Sequence, residues 1–468
     1  MMEIKKTSMI STSIIANTVK SLDKVNFLTT VEENFLDPKN LKITSGMSIT
    51  DSQNINHQLR YFDLHRALRL INFISYKVYQ ELQSNNIQEI TFKFNISQVS
   101  EPELFFIDRL KHYSQNIIDI IVAPEVNKIT DEVDFEDMPF YLSVGDLWTS
   151  LKIGNDILNS KGTILDSQFI LNFAITQNNL GNTMAGEALL NQILSKEVNN
   201  SNENEIKITA LYILSMLYLR HHDRKFHSIE KAENYLEQAF NLLNDPSFIH
   251  NDKEFKRIFN RNGYALLLFK KNQIEEAINL LEIKIRELDV LISGGKEYAV
   301  LHKTVLLYNI SQCYNVLGDF RKSVELLQQI IEIDTYDADY HYEIVKILFD
   351  HELLDEGFEW LEIIEKKNIV DLSIQSAMKG YYFLQKEDYQ NAALHYETAY
   401  NLEYNDRYTG EILYSYLYTL FNLEQYETIL NIDISGINLN DDYKADIEYL
   451  INETNEMRFK NNCEGLKI

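Results

Sequence analysis

A spacing of about 34 residues recurs in the second half of the chain and constrains the fold more than any other feature. In the segment from Thr304 to Asp337, small residues stand at positions 8 and 20, which are Ser311 and Ser323. Larger apolar residues fall between them at helical spacing. A helix pair of this length cannot bury its apolar face alone, so its neighbours must stack against it. The spacing therefore predicts an all-α array of helix pairs.

The same positions are filled in other segments of the chain. Small side chains recur where two helices must cross closely, and larger apolar groups recur where the space between helices must be filled. In the first segment these positions also include Ile310, Tyr314, Gly318, Asp319, Phe320, Leu327 and Ile330. Their equivalents are Gly380, Phe383, Asp388, Tyr389, Ala392, Tyr396 and Ala399 in one segment, and Val345, Leu348, Gly357, Leu361 and Ile364 in another, where Glu352 replaces the turn glycine.

These segments resemble the tetratricopeptide repeat (TPR) family. The resemblance implies a right-handed TPR-type α-solenoid of about seven helix pairs over residues 165–435. Further pairs are marked by Ala265, Leu268, Ala277 and Leu281, by Ala174, Gly181, Gly186, Leu190 and Ile193, and less clearly by Tyr418, Tyr426 and Leu430. Another pair, with Ser215, Tyr218, Ala232, Leu236 and Ala239, fits only if its internal turn is about five residues longer.

The flanking regions follow different patterns. Residues 1–140 predict a small α+β or irregular unit, and its first 55 residues look like a loose lead-in with one or two short elements. Within it we expect helices over His57–Gln83 and Glu101–Tyr113, a strand over Ile90–Ile96 and a second strand over Ile117–Val122. Residues 141–164 are expected to form a capping helix or linker, with the helix over 142–160. Residues 436–468 are expected to form a C-terminal capping helix and tail, with the helix from Asp441 to about Lys460.

The net negative charge of the chain limits the classes of partner that we expect it to bind. There are 70 Asp and Glu against 44 Lys and Arg, a net charge of −26 in 468 residues. Such a charge repels phosphate backbones and anionic lipid, so no nucleic-acid or membrane partner is expected. The acidity fits either a solubility role or a basic or apolar peptide partner. Cys313 and Cys463 predict neither a disulfide framework nor a thiolate metal site. With neither a secretory leader nor a membrane span evident in the sequence, a cytoplasmic protein is the default.

Sequence motifs of catalysis are not found. There is no Walker A loop, GxGxxG, HExxH, GxSxG or CxxC pattern, so we expect no enzyme activity and no cofactor. A catalytic N-terminal unit remains the alternative. His221, His222 and His227 cluster with Asp223 in the long turn, but Arg224 and Lys225 oppose a cation there, so no metal site is predicted. His57, Asp63, His65 and His112 are expected to be structural or surface residues.

The resemblance also implies a binding surface. In the family, positions 2, 5, 9, 12 and 13 of the first helix of each pair line a concave groove. The candidates for this groove are Tyr212, Arg220, Asn262, Lys270, Tyr308, Asn315, Tyr342, Lys346, Tyr381, Tyr414 and Tyr418. Tyrosine and asparagine suit peptide recognition, although the tyrosines could equally be packing residues. Position 5 carries no lysine, which disfavours the carboxylate clamp of chaperone-binding members.

These observations predict an interaction scaffold or adaptor that binds a protein or peptide through the concave surface. One alternative is a peptide-responsive regulator without a DNA-binding domain, because the N-terminal region has strand-like IleThrPheLysPheAsnIle and few basic residues. The other is an accessory protein to an enzyme pathway.

Overall fold

The structure, a computed structural model, divides into two compact units, which are Met1–Asp337 (unit 1) and Ala338–Ile468 (unit 2). It describes residues 2–6, 11–22, 28, 30–36, 64–96, 98–114, 117–124, 137–143, 146–161, 165–196, 200–296, 299–334, 337–367, 371–403, 406–432, 434 and 441–465. The expected boundaries at 140, 164 and 435 stay predictions.

A three-stranded parallel sheet opens unit 1. Its strands are β1 (Met2–Lys5), β2 (Glu89–Phe94) and β3 (Asp119–Pro124), in the order β1-β2-β3. Both expected strands are present, with β3 shifted by two residues. Strand β1 was not predicted and lies within the expected loose lead-in. Because parallel strands need long crossovers, the intervening segments carry the helices of this region.

Those helices cover one face of the sheet. They are α1 (Ser13–Ser21), α2 (Thr30–Leu36), α3 (Leu64–Ser84) and α4 (Glu101–Ser114). On β2, Ile90, Phe92 and Phe94 alternate with less buried residues and join helix residues such as Ile74 and Phe106 in one core. The expected helix His57–Gln83 corresponds to α3, but residues 57–63 lie outside the described ones. The expected helix Glu101–Tyr113 is α4.

Two helices link this region to the repeats within unit 1. They are α5 (Met138–Ser143) and α6 (Leu147–Lys161), the latter matching the helix expected over 142–160. Trp148 of α6 belongs to the core beneath the sheet, and its indole Nε1 donates to Glu101 Oε2 at 3.1 Å. Ile153 and Ile157 on the same helix pack with Phe173, which lies in the first repeat helix. Helix α6 therefore shares apolar cores with both regions.

The described residues of unit 1 then form four helix pairs. They are α7 (Ser167–Asn179) with α8 (Thr183–Leu194), α9 (Ser201–Met216) with α10 (Ile229–Asn244), α11 (Lys253–Lys270) with α12 (Ile274–Ser293), and α13 (Ala299–Val316) with α14 (Phe320–Ile333). We call the first helix of a pair helix A and the second helix B. Each helix B packs on the next helix A, and successive A helices also touch. This is the packing of TPR-type pairs.

Unit 2 repeats the pattern. Its described residues form α15 (Ala338–Asp350) with α16 (Leu354–Lys367), α17 (Leu372–Gln385) with α18 (Tyr389–Leu402), and α19 (Asp406–Asn422) with α20 (Tyr426–Asn431). The final helix, α21 (Asp441–Gly465), packs on both α19 and α20, as expected of a cap. The predicted fold class is confirmed: both units contain TPR-type helix pairs, and in unit 1 a small α+β region precedes them.

Most A–B turns share one backbone device. A residue with positive φ follows helix A and lets the next amide reach back five residues, as Asp319 N does to Tyr314 O and Asp388 N to Phe383 O, both at 2.9 Å. These left-handed residues are Gly181, Asn272, Gly318, Glu352, Glu387 and Glu424, with φ between 56° and 84°. A non-glycine residue in this left-handed conformation costs about 1–2 kcal/mol. The turn at Glu352 keeps its positive φ with glutamate in place of the expected glycine, so the fold tolerates this cost there.

The turn between the two helices of the second pair has a different conformation. Its helix A continues into a π-helical turn, Leu217–His221, followed by a 3-10 turn, Arg224–Phe226, before α10 begins behind the N-cap Ser228. The longer turn predicted for this pair is therefore confirmed. No described helix is both long and apolar enough to cross a membrane.

Candidate functional site

Two predicted groove residues of unit 1 contact neighbouring A helices. Tyr212 of α9 lies against Phe259 of α11, with ring centroids 4.6 Å apart, and burial raises the pKa of its phenol to about 12. A Cβ added to Gly263 would come within 2.8 Å of the Tyr212 ring, so this glycine allows the close approach. Asn262 is 7% exposed, and its Oδ1 accepts from Asn309 Nδ2 at 2.8 Å. Both side chains join neighbouring A helices.

Tyr342 of unit 2 is also a packing residue. It is 5% exposed, and its hydroxyl accepts from Asp371 N at 2.9 Å and donates to Asp371 O at 3.2 Å. The Asp371 carboxylate in turn caps α17 by accepting from the amides of Ser373 and Ile374. Tyr342 therefore fixes the start of the next helix A, and its hydroxyl is engaged in doing so.

The remaining groove candidates are more accessible. The exposed ones are Arg220, Lys270, Lys346, Tyr381 and Tyr418, and the half-buried ones are Tyr308, Asn315 and Tyr414. Arg220 points into the long turn, where its Nε donates to His221 Nε2 at 3.0 Å. A ligand-binding role for these residues stays a prediction.

Sequence reasoning missed the aromatic side chains that unit 1 brings together. The Tyr212 and Phe259 rings are tilted against each other, and Phe259 stacks on His302 of α13 with ring centroids 4.9 Å apart. Phe255, one turn before Phe259, contacts His302 edge-on at 5.4 Å. We call Tyr212, Phe259 and His302 the aromatic ladder, because it crosses three successive A helices. Phe259 keeps 38% of its surface exposed, whereas His302 keeps 8%.

Charged residues beside the ladder are paired with one another. Lys256, one turn before Phe259, binds Glu205 of α9 at 2.6 Å, and His250 Nε2 lies 3.2 Å from the other oxygen of that carboxylate. Lys303, next to His302, binds Asp289 at 2.7 Å. The charged side chains named here are therefore already engaged with one another.

Unit 2 carries a second aromatic surface on its A helices. Phe349 of α15 stacks on Tyr381 of α17 with ring centroids 5.5 Å apart. Phe349 is held in place by Gly357, where an added Cβ would lie 2.5 Å from the ring. Tyr381 is 38% exposed. Burial first, and then the negative charges of Asp350 and Glu352, hold the pKa of Tyr381 above its ordinary value, so its phenol stays neutral at physiological pH.

A further tyrosine pair lies on α19. Tyr414 and Tyr418 stack along the helix with ring centroids 6.3 Å apart, and Tyr414 also approaches Tyr443 of α21 at 6.4 Å. Tyr418 is 39% exposed while Tyr414 is half-buried. Tyr381 and Tyr418 are thus the predicted tyrosines whose rings remain open to a partner.

The carboxyl ends of β1 and β2 hold a buried ion pair that sequence reasoning did not find. Lys6, which follows β1, places its Nζ 2.6 and 2.7 Å from the two oxygens of Glu103 in the first turn of α4. The same carboxylate accepts from the Ser13 and Ser100 hydroxyls and from the Ile14 amide. Both charged side chains are 1% exposed or less. Ligands often bind at this edge of a parallel sheet, but these groups are saturated and closed to solvent.

The histidines of the long turn diverge. His222 is buried, with Nε2 3.2 Å from Glu187 Oε2 and Nδ1 2.9 Å from Thr183 Oγ1. His221 and His227 are exposed, and the His227 ring bonds the His222 carbonyl. Among the described residues there is no cluster of three or more side chains that could hold a metal ion. Burial raises the pKa of the Cys313 thiol to about 11, which leaves it protonated.

Other candidates from the sequence fall outside these sites. His57 and Asp63 lie outside the described residues, as do the side chains of His65 and Cys463. His112 lies on α4, 5.3 Å from the Tyr113 ring in an edge-on contact, within a cluster of tyrosines. Tyr113 and Arg109 of the same helix bond to Asn72 of α3. His112 therefore borders a structural network.

Comparisons with known proteins show likeness in fold alone. No protein-family model matches the chain, and no curated protein matches it. A solved structure of the human IFIT1 dimer with PPP-AAAA is 13% identical, with 97% of this chain and 94% of that chain covered and a TM-score of 0.46. Aspartyl phosphate phosphatase F from Bacillus subtilis is 12% identical, with 85% and 99% covered and a TM-score of 0.38. A STAND protein with a tetratricopeptide repeat sensor from Pyrococcus horikoshii is 11% identical, with 91% and 72% covered and a TM-score of 0.26.

Proposed function

We propose that the protein is a peptide-binding scaffold that holds a partner on the surfaces of its A helices. The observation that carries this proposal is the aromatic ladder of unit 1. It crosses three successive A helices and leaves the Phe259 ring open at its centre. Large aromatic groups at the centre of a surface are the side chains that most often dominate binding energy.

The ladder is also held in place before any partner arrives. Tyr212 is fixed against Gly263, and His302 is fixed against both Phe255 and Phe259. The neighbouring Asn262–Asn309 bond ties α11 to α13. Side chains that lose little freedom on binding cost little entropy, so a rigid aromatic surface binds more tightly than a flexible one.

The charge of the chain supports a protein partner over a polyanion. A formal charge of −26 opposes binding to phosphate backbones, and two lysines of the ladder's own A helices, Lys256 and Lys303, are already paired with carboxylates. A peptide can bind this surface through apolar contacts and main-chain hydrogen bonds, neither of which requires positive charge on the scaffold.

The test is a selection of short random displayed peptides on the full-length protein, followed by titration calorimetry of the best synthetic peptides. We expect Phe259→Ala to weaken at least one class of selected peptide by about tenfold or more, on the scale of aromatic hot spots. Phe226→Ala is the matched control, because Phe226 is 42% exposed in the same unit but lies in the long turn. If no peptide is selected, or if both variants bind equally, the proposal fails.

A regulatory scaffold is a second candidate, favoured by the position of α6. This helix shares apolar cores with both the N-terminal sheet region and the first helix pair. A bound peptide that changes the packing of the pairs would therefore also act on the sheet region. Hydrogen exchange with and without the selected peptide tests this, because changed protection in β2 or α4 is expected only from a regulator.

A further inference from the structure

Acidic residues are concentrated in unit 2. Residues 338–468 contain 26 Asp and Glu against 10 Lys and Arg, a formal charge of −16, whereas residues 1–337 contain 44 against 34, a charge of −10. Unit 2 is much the shorter of the two, so its charge density is several times higher. Its field attracts cationic groups and repels anionic ones.

The acidic groups surround the open tyrosine of the unit 2 surface. Asp350 and Glu352, at the end of α15 and in the turn after it, act electrostatically on Tyr381, and both are exposed. Phe349 stacks against the Tyr381 ring. The rest of that ring is open to solvent and lies near the two carboxylates.

Three lysines in the described part of unit 2 are engaged with other carboxylates. Lys366 pairs with Glu362, Lys379 with Glu365 and Lys386 with Asp355. These pairs lie along α16 and α17 and use the lysine charges within the unit. Lys346 is the basic candidate on α15, and its helix also presents Asp339 and Asp350 at family lining positions.

We infer that the A-helix surface of unit 2 docks a basic segment of a partner protein, with an arginine or lysine side chain against Tyr381. This inference rests on the proposed function and adds the chemistry of the partner. A guanidinium or ammonium group over a tyrosine ring gains from the ring quadrupole, and the nearby carboxylates add charge-assisted hydrogen bonds. Arginine fits best, because its planar group stacks on a ring and presents a fork of donors to a carboxylate.

An acidic or purely apolar segment fits this surface poorly. An acidic segment would meet Asp350 and Glu352 as like charges, which costs free energy on approach and on contact. An apolar segment would desolvate the same carboxylates without giving them a partner. The surface therefore favours a basic segment, because its carboxylates attract positive charge and disfavour acidic and apolar segments.

The peptide selection described above provides the test. We expect selected peptides to include a class enriched in arginine and lysine, and binding of that class to weaken about tenfold in Tyr381→Ala and in Asp350→Asn, in the range of a desolvated cation–aromatic contact. Replacing its arginine by citrulline, which keeps the shape and removes the charge, should weaken binding by a similar factor.

The matched control is Tyr449→Ala. Tyr449 is 65% exposed on α21 of the same unit and lies beside Glu453 and Glu456, so it offers an acidic tyrosine away from the A-helix surface. The control should bind basic peptides like the unmodified protein. Unchanged binding in Tyr381→Ala would indicate attraction by net charge alone and overturn the inference. Equal loss of binding in Tyr381→Ala and Tyr449→Ala would also overturn it, because the effect would then not be specific to the A-helix surface. Selected peptides that depend on Phe259 and lack basic residues would also overturn it while the proposed function stands.

Discussion

Unit 1 and unit 2 are built from the same helix pairs but present different chemistry. In unit 1 the A helices are joined by an aromatic ladder whose histidine is buried and whose neighbouring charges are paired. In unit 2 the A helices expose Tyr381 and Tyr418 among carboxylates. The repeat pattern constrains the helix crossings, where side chains are buried, and leaves the A-helix surface free to vary. One fold can therefore present two kinds of binding surface.

Two tyrosines at the fifth position of helix A, Tyr212 in unit 1 and Tyr342 in unit 2, also differ in their contacts. Tyr212 and Tyr342 occupy equivalent places in their pairs, but Tyr212 is half-buried while Tyr342 is buried, and they are held differently. Tyr212 is held by ring packing against Phe259, whereas Tyr342 is held by two hydrogen bonds to the backbone of Asp371. Each of these two tyrosines therefore links its own helix A to the next helix A or to the residue that caps it.

The largest expected effect tests whether the two helices of a pair cross at the same position in unit 1 and in unit 2. Ala239 of α10 and Ala399 of α18 are both fully buried at the equivalent position. We expect Ala239→Asp and Ala399→Asp each to lower the free energy of unfolding by about 4 kcal/mol or more, because each buries an unpaired carboxylate. Chemical denaturation of the full-length protein measures both values.

Exposed neighbours supply the controls for this pair. Gln238→Asp and Thr398→Asp add the same charge one residue earlier on the same helices, at exposed positions. They should change stability by no more than about 0.5 kcal/mol. Equal effects of the buried and exposed substitutions in either unit would mean that the register assigned to that unit is wrong.

An intermediate effect concerns the buried ion pair of unit 1. We expect Lys6→Met to destabilise the protein by about 3–5 kcal/mol, since it leaves the Glu103 carboxylate buried without its cation. Hydrogen exchange should show lost protection first in β1 and in the start of α4. These are the segments that the pair joins.

Lys93 offers a lysine of the same sheet for comparison. Its ion pair with Glu3 is open to solvent, with side chains 34% and 43% exposed. Lys93→Met should therefore cost between about 0 and 1 kcal/mol. If Lys6→Met is equally mild, the Lys6–Glu103 contact is not the closed, saturated pair described above.

The smallest effect is a pH dependence in unit 2. Burial, and then repulsion from Lys379, lower the pKa of His395, while Glu365 acts in the opposite direction. The unfolded chain therefore binds a proton more readily than the folded chain, so this residue reduces stability as pH falls through the ordinary histidine value near about 6.5. We expect His395→Gln to show a shallower loss of stability between neutral and mildly acidic pH.

His351 is the control for that measurement. It lies in the same unit and is exposed. The His351→Gln variant, measured in the same way, shows how much of the change comes from replacing any histidine of this unit. A His395→Gln curve that coincides with the unmodified one would show that the half-buried ring of His395, which stacks on Phe383, is not the titrating group.

Much of the fold could be predicted from the sequence, because the information is local. Ser311, Ser323, Ala392 and Ala399 are small because two helices of one pair cross there, and all four are fully buried. The long turn of the second pair followed from the spacing between Tyr218 and Ala232. The same local pattern cannot show β1, because Met2–Lys5 becomes a strand through pairing with Ile90 and its neighbours far along the chain.

The candidate sites depended on tertiary structure for the same physical reason. Sequence periodicity identified which tyrosines belong to the A helices, but not which of them the next helix A covers. That depends on the distance between A helices, which places Phe259 on His302 and Phe349 on Tyr381. The sequence by itself therefore determined the helix pairs and the net acidity of the chain. The tertiary structure alone decided which aromatic rings are buried, which remain open, and that Lys6 meets Glu103, because these contacts join residues from separate elements.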